Sequence, residues 1–162
     1  MQLEQALDAV VDTAISEKRI VGSVLLVRKD GRPLYEKAHG LADREAGRAM
    51  SRDTIFRLSS VTKPIVAATI LALMEAGKIR LDDAVTLYLP DFKPALADGS
   101  VPEITIHHLL THSAGLASGP LLSPAETAAG VNRWHLGRET IVARLAAQGL
   151  LFAPGTGGAY GA

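Results

Sequence analysis

The spacing of apolar residues in the first third of the chain predicts a helix followed by a hairpin. Five apolar residues recur at helical spacing with acidic residues between them: Leu3, Leu7, Val10, Val11 and Ala14. This spacing is typical of an amphipathic helix that packs one face against a partner. Two apolar runs follow at 24–27 and 33–38, and Asp30-Gly31 between them favours a tight hairpin turn. Because two strands alone are marginally stable in water, the hairpin predicts a larger sheet.

Residues 65–76 are apolar at nearly every position, which predicts a buried helix. Gly77 follows where a left-handed residue would end this helix. Pro64 is tolerated in a first helical turn, so we expect the helix to begin near Ser60. Ser60 and Lys63 would then lie one turn apart on the same helix face.

The remaining pattern predicts short elements. The stretch "LDDAVTLYLPDF" favours a loop with short turns, and "ITIHHLLTHSAGL" favours a short helix ended by Gly115. Residues 116–137 are rich in Gly, Pro, Ser and Ala and are predicted to be loop. Residues 138–148 are predicted to form a further helix, capped by Gly149. Together these elements predict an α+β protein in which antiparallel strands precede a largely helical region.

Composition and charge exclude several functions. The 17 basic residues balance the 17 acidic ones, so neither nucleic acid nor an anionic membrane is an expected partner. The chain has no cysteine, which excludes disulfides, thiolate metal ligands and a cysteine nucleophile. No apolar run is long enough to span a membrane, and the first residues lack the basic start and apolar stretch of a signal peptide. A cytoplasmic location is therefore favoured, with a secreted precursor trimmed before residue 1 as the alternative.

Ser60 and Lys63 are the strongest candidates for chemistry. A serine hydroxyl becomes a good nucleophile only when a neighbouring base takes its proton, and a lysine can be that base only in its neutral form. Burial and the positive end of a helix dipole both favour a neutral amine at this place. The backbone N–H of Ser60 would also be available to an oxyanion. The alternative is structural: Ser59 or Ser60 caps the helix while Lys63 extends into water.

Four sequence blocks favour the chemical interpretation. They are "FRLSSVTKPIVAA", "GKIRLDDAVTLYLP", "ITIHHLLTHSAGL" and "FAPGTGGAYGA". Their order and spacing resemble the serine β-lactamase-like family, which includes class C β-lactamases, DD-peptidases and related esterases. The resemblance implies that residues 1–162 are the N-terminal portion of one β-lactamase-like domain, with a helix and hairpin in 1–58 and a helical part in 59–162. It also implies that Ser60 forms an acyl-enzyme and that Lys63 assists proton transfer.

The last block resembles the family's Tyr-x-Asn motif, which a turn containing Pro-Gly precedes. By this resemblance Tyr160 lies beside Ser60 and Lys63 and shares in proton transfer. Two positions depart from the family: Ala162 replaces the asparagine, and Gly158 replaces a common bulky aromatic residue. Both changes weaken the expected contacts with substrate and the support of Tyr160. Without Pro154-Gly155, a frayed tyrosine at the chain end would be the preferred interpretation.

The other polar and aromatic candidates have simpler explanations. His107, His108 and His112 could be imagined as metal ligands, but we expect no metal, because the further ligands of a tight site are not evident. No cofactor is expected either. Trp134 and Tyr35 are predicted to pack rather than to bind a ligand.

The predicted function is hydrolysis of a small acyl substrate, namely a β-lactam, a D-alanyl peptide or a short ester. Family members continue past the tyrosine motif into a Lys-Thr-Gly or His-x-Gly strand and further strands of the sheet. We therefore expect the sheet to be incomplete in residues 1–162 and a complementary C-terminal chain, or a homo-oligomer, to complete it. The alternative function is a non-catalytic binding or interaction protein, which Ala162 and the absence of the third motif favour.

Overall fold

The structure is a computed structural model that describes residues 3–117, 121–132 and 135–160. It divides into two compact units, Met1–Ser59 and Ser60–Ala162. The first contains a helix and a small sheet, whereas the second contains mainly helices and loops. The predicted α+β class, with antiparallel strands and a largely helical region, is confirmed.

The first unit consists of helix α1 (Leu3–Ser16) and strands β1 (Gly22–Lys29), β2 (Arg32–Asp43) and β3 (Arg48–Ala49). The strands form an antiparallel sheet in the order β1-β2-β3. Both the predicted helix and the predicted hairpin are therefore present.

The hairpin turns where its dipeptide predicted. Asp30 has φ 50° and Gly31 has φ 74°, and two consecutive left-handed residues are what a two-residue turn needs to match the twist of the strands. Lys29 pairs with Arg32 directly across this turn.

Helix α1 is attached to β2 through a carboxylate as well as through apolar residues. Asp8 accepts a hydrogen bond of 2.5 Å from the Tyr35 hydroxyl and one of 2.8 Å from Lys37 Nζ. Val10, by contrast, is 68% exposed, although the apolar pattern placed it on the packed face. The helical spacing identified the element, but the actual contact face is rotated toward Asp8.

The described residues from Ser59 onward form four α-helices and two short 3-10 turns. A 3-10 turn at Ser59–Val61 leads into α2, and a second lies at Val85–Leu87. The helices are α2 (Thr62–Glu75), α3 (Ile106–Leu110), α4 (Pro124–Ala128) and α5 (Arg138–Gln148).

The core of this unit lies between the loops around α3 and helix α5. Its buried members are Val85, Phe92, Ile104, Ala114 and Leu150. Val142 and Leu145 of α5 pack against this cluster. Apolar contacts with this core thus hold the loop of residues 112–116 in place.

Glycines end two helices where the sequence predicted. Gly77 has φ 68°, its N–H donates to Met74 O at 2.9 Å, and the next N–H, of Lys78, donates to Leu73 O at 2.9 Å. These two bonds satisfy the last carbonyls of α2 in the way that a left-handed glycine allows. Gly149, with φ 73°, follows α5 and donates to Ala146 O at 3.3 Å, but the next N–H, of Leu150, donates to Ala95 O rather than back to the helix.

The prediction that α2 is buried is wrong for the described residues. None of its side chains is buried, and Ile65 and Val66 are 55% and 51% exposed. An all-apolar pattern indicates that a helix favours burial of its surface, but it does not indicate which segment packs against it. The α-helix also begins two residues after Ser60, because a 3-10 turn takes up the first residues.

Two boundary predictions are also corrected. Residues 116–137 are not all loop, since α4 lies there with a reciprocal capping box between Ser123 and Glu126. The Ser-Pro-Ala-Glu sequence carries this capping signature. Helix α3 ends at Leu110 rather than at Gly115, because His112 takes the left-handed conformation with φ 56°.

No helix among the described residues combines the length and apolar character that a membrane crossing needs.

Candidate active site

The structure brings Ser60, Lys63 and Tyr160 together. The Tyr160 hydroxyl donates a hydrogen bond of 2.7 Å to Ser60 Oγ. Lys63 Nζ lies 4.6 Å from the centre of the Tyr160 ring. Tyr160 thus contacts both other residues, although 100 positions separate it from Ser60.

Ser60 is presented by the 3-10 turn that precedes α2. Ser59, directly before it, has φ 48°, a left-handed conformation that is uncommon for residues other than glycine. The helix N-cap is Val61, which provides no capping side chain. The alternative in which Ser59 or Ser60 caps the helix is therefore wrong, and the Ser60 hydroxyl instead accepts from Tyr160. The role of the Ser60 N–H toward an oxyanion stays a prediction.

Tyr160 is positioned by the segment that follows α5. Pro154 and Gly155, with φ 81° at Gly155, form a turn in which Thr156 N–H donates to Ala153 O at 3.1 Å. This is the geometry in which proline at the second position and glycine at the third are favoured. The Pro-Gly pair thus redirects the chain just before Tyr160.

The same segment is bonded along its length to the loop after α3. Leu151 N–H donates to Gly115 O at 2.7 Å, and Ala159 N–H donates to His112 O at 2.9 Å. A Cβ on Gly115 would collide with the carbonyl oxygen of Phe152, so only glycine permits this approach. The two segments therefore form one backbone support beneath Tyr160.

His112 contacts the tyrosine directly. Its ring centre lies 4.8 Å from that of Tyr160, and the two ring planes are inclined by 35°. The sequence indicates His112 only as a possible metal ligand, so this contact is a finding of the structure. The sequence offers no local signal for it, because the two residues meet only after the segments pair.

The surroundings of Tyr160 lower the pKa of its phenol, first through the hydrogen bond with Ser60 and then through Lys63. A lowered pKa makes the phenolate easier to form. Tyr160 can therefore accept a proton as phenolate as well as donate one as phenol. Ser60 is exposed, and Tyr160 is 62% exposed. The three groups can therefore exchange protons beside an open surface.

The remaining candidates lie elsewhere. His108 completes a capping box with Thr105 at the start of α3, and no cluster of metal-ligating residues is present among the described residues. Tyr35 is buried, at 5% exposure, as a packing residue should be. Trp134 and Ala162 lie outside the described residues, so the predictions made for them have no structural counterpart. Gly158 has open space around its Cα, with no described atom within 4 Å of where a Cβ would stand.

Comparison with known proteins gives consistent similarities. The family model described as Beta-lactamase matches residues 3–162. The chain is 48% identical to Esterase EstB of Burkholderia gladioli over 98% of its own length. Among solved structures, it resembles EstCE1, a hydrolase with promiscuous acyltransferase activity, with TM-score 0.86 and 42% identity over 97% of the chain. It also resembles the octameric penicillin-binding protein homologue from Pyrococcus abyssi, with TM-score 0.77 and 28% identity over 96% of the chain.

The similarities cover only part of each of these proteins. The chain spans 42% of EstB, 43% of EstCE1 and 35% of the Pyrococcus abyssi protein. Its fold therefore corresponds to an N-terminal portion of theirs, as the four sequence blocks implied.

Proposed function

Because the chain belongs to the β-lactamase family, whose model matches residues 3–162, we propose that it is a serine hydrolase that works through an acyl-enzyme. The observation that carries this proposal is the contact of the Tyr160 hydroxyl with Ser60 Oγ at 2.7 Å beside Lys63. A nucleophile and two proton-transfer groups meet there from distant parts of the sequence.

Ser60 is the nucleophile, Lys63 the general base and Tyr160 the proton relay. Ser60 Oγ forms the bond to the acyl carbon while its proton passes to Tyr160, which gives its own proton to Lys63 Nζ. The proton then returns to the leaving group as its bond to the acyl carbon breaks. Water attacks the acyl-enzyme by the same route in reverse, which frees Ser60.

A short-chain ester is the favoured substrate. The relatives that support it are named as an esterase and as a hydrolase with promiscuous acyltransferase activity. Ala162 in place of the family asparagine points the same way, because it removes an amide that could orient a peptide-like substrate. A β-lactam and a D-alanyl peptide are the other two substrate classes.

A complementary C-terminal segment of the same fold completes the site in this proposal. The exposed apolar side chains of α2 and the exposed Ser60 support it, because acyl chemistry benefits from exclusion of water. A monodisperse monomer of residues 1–162 with a sharp thermal transition and full activity would contradict this part.

Labelling tests the function directly. We expect a fluorophosphonate to add one adduct to the protein, detected by intact mass, and Ser60→Ala to abolish it. Ser59→Ala is the matched control, since its hydroxyl is one residue away, and it should still be labelled. Absence of any adduct on wild-type protein supplied with its complementary segment would favour the non-catalytic binding protein instead.

A further inference from the structure

His112 contacts Tyr160 but has no role in the proton transfer proposed above. Its ring lies against the Tyr160 ring at 4.8 Å, on a loop whose neighbours Ala114 and Gly115 are buried. Its own carbonyl accepts from Ala159 N–H at 2.9 Å, one residue before Tyr160. His112 thus contacts this segment twice, through its carbonyl at Ala159 and through its ring at Tyr160.

Tyr160 is held by several groups: besides His112, Lys63 Nζ lies 4.6 Å from the centre of its ring. Tyr160 is 62% exposed, and Gly158 near it presents no side chain to pack against. A hydrogen bond to Ser60 fixes one atom of the phenol, the oxygen, but not the ring plane. A flat neighbour such as the half-buried imidazole restricts the remaining rotation, since inclined aromatic rings at this separation attract each other.

The backbone at His112 suggests that its side chain has a function other than turn formation. Its φ of 56° lies in the left-handed region, where glycine is best tolerated and asparagine, aspartate and histidine are enriched among the other residues. Glycine would make the same turn at the least conformational cost. A histidine at this position is therefore a reason to look for a role of its side chain.

We propose that His112 is a positioning residue that holds the Tyr160 ring in the orientation at which its hydroxyl meets Ser60 and Lys63. This inference rests on the proposed function and adds a residue to it. It assigns no proton transfer to the imidazole. It also explains how an exposed tyrosine near a glycine-rich stretch keeps a defined position.

Two substitutions separate positioning from a merely structural role, because they have opposite backbone preferences. His112→Phe keeps a flat ring but is poorly suited to the left-handed conformation, whereas His112→Asn suits that conformation and removes the ring. Positioning predicts that His112→Phe keeps near wild-type fluorophosphonate labelling of Ser60, while His112→Asn slows it by about 10- to 100-fold. A structural role predicts the reverse order, which would overturn the proposal.

The ionisation of Tyr160 provides a second measurement that needs no substrate. Contacts with Ser60 and Lys63 lower the pKa of Tyr160, so losing the ring contact should return that pKa toward its ordinary value. We would follow the titration by NMR of protein with 13C-labelled tyrosine, with Tyr160→Phe to assign the signal. The pKa should rise in His112→Asn and stay low in His112→Phe, while thermal unfolding reports any loss of fold.

The outcomes distinguish this inference from the function on which it rests. If wild-type Ser60 is never labelled, the hydrolase proposal fails, yet the titration still tests the ring contact. If Ser60 is labelled equally fast in wild type and His112→Asn with an unchanged Tyr160 titration, the positioning role is wrong. Equal losses in both variants at unchanged stability would assign the effect to the imidazole's polarity and also overturn positioning by packing.

Discussion

The two units each contain a hydrogen-bonded tyrosine, and the two tyrosines have opposite surroundings. Tyr35 in the first unit is 5% exposed and donates to the carboxylate of Asp8, whereas Tyr160 in the second is 62% exposed and contacts Ser60 and Lys63. Burial, and next the bond to Asp8, raise the pKa of Tyr35 to about 12, while the Ser60 bond and Lys63 lower that of Tyr160. The same phenol is thus a fixed donor in one unit and a potential proton acceptor in the other.

The largest expected difference is in acylation. Tyr160→Phe should slow fluorophosphonate labelling of Ser60 by about 10²- to 10⁴-fold, because the proton relay is removed. Tyr35→Phe should leave the labelling rate per folded molecule unchanged and lower the melting temperature by a few degrees, because its hydrogen bond with Asp8 is lost. Equal labelling by wild type and Tyr160→Phe would remove Tyr160 from the mechanism.

A titration of the individual tyrosines makes the comparison quantitative. Tyr160 should ionise first, below the ordinary tyrosine value of about 10. Tyr88, whose pKa the bond to Asp83 raises, and Tyr35, at about 12, should follow. In Asp8→Asn the pKa of Tyr35 should fall but stay above 10, because burial remains. The 13C shifts of labelled tyrosine measure this order, and a first ionisation at Tyr35 would contradict it.

The pH dependence of acylation distinguishes a Tyr160 that relays the proton to Lys63 from a Tyr160 that accepts it as a phenolate. If the phenolate accepts the Ser60 proton, the labelling rate should rise with pH and level off below the ordinary tyrosine pKa of about 10. Rates measured from pH 6 to 10.5 against Tyr160→Phe test this. A profile that keeps rising beyond that value in wild type would assign the limiting ionisation to another group.

The smallest expected effects concern acid stability, which can be compared through one carboxylate with a lowered pKa from each unit, Asp8 in the first and Glu126 in the second. Lys37, then Tyr35, lowers the pKa of Asp8, and Arg144, then Ser123, lowers that of Glu126 to about 2. Because the folded form favours the ionised carboxylate, its stabilisation is complete above the unfolded pKa of about 4 and is lost as pH falls through the folded pKa.

Denaturant unfolding at several pH values measures this loss. Asp8→Asn and Glu126→Gln should each be less stable than wild type near pH 7, and the difference from wild type should shrink as pH falls below 4. For Glu126→Gln the shrinkage should extend down to about pH 2. A difference that stays constant across this range would show that the charge of the carboxylate is not what stabilises the fold.

Features set by a few neighbouring residues were predictable from the sequence. The Asp30-Gly31 turn and the glycine end of α2 lie where expected, because each depends on local backbone preferences. The short spacing between Ser60 and Lys63 likewise indicated a possible nucleophile and its base. Helix α4 was not predicted, although its capping box is a local signal, because the surrounding residues have the composition of a loop.

Features that join distant segments were predictable only by resemblance or not at all. Tyr160 was expected beside Ser60 because the final block resembles a family motif, and no periodicity would have placed it there. The contact of His112 with Tyr160, and that of Asp8 with Tyr35, were missed. The apolar pattern of α2 overstated its burial, because hydrophobicity indicates a preference for contact without identifying the contacting surface.

The sequence by itself determined the Asp30-Gly31 turn, the glycine end of α2 and the short spacing between Ser60 and Lys63. A family resemblance placed Tyr160 beside that serine, and only the tertiary structure decided which ring contacts the phenol. The physical reason is that backbone preferences act over a few residues, whereas the chemistry of Tyr160 arises from groups brought to within a few ångströms by the pairing of separate segments.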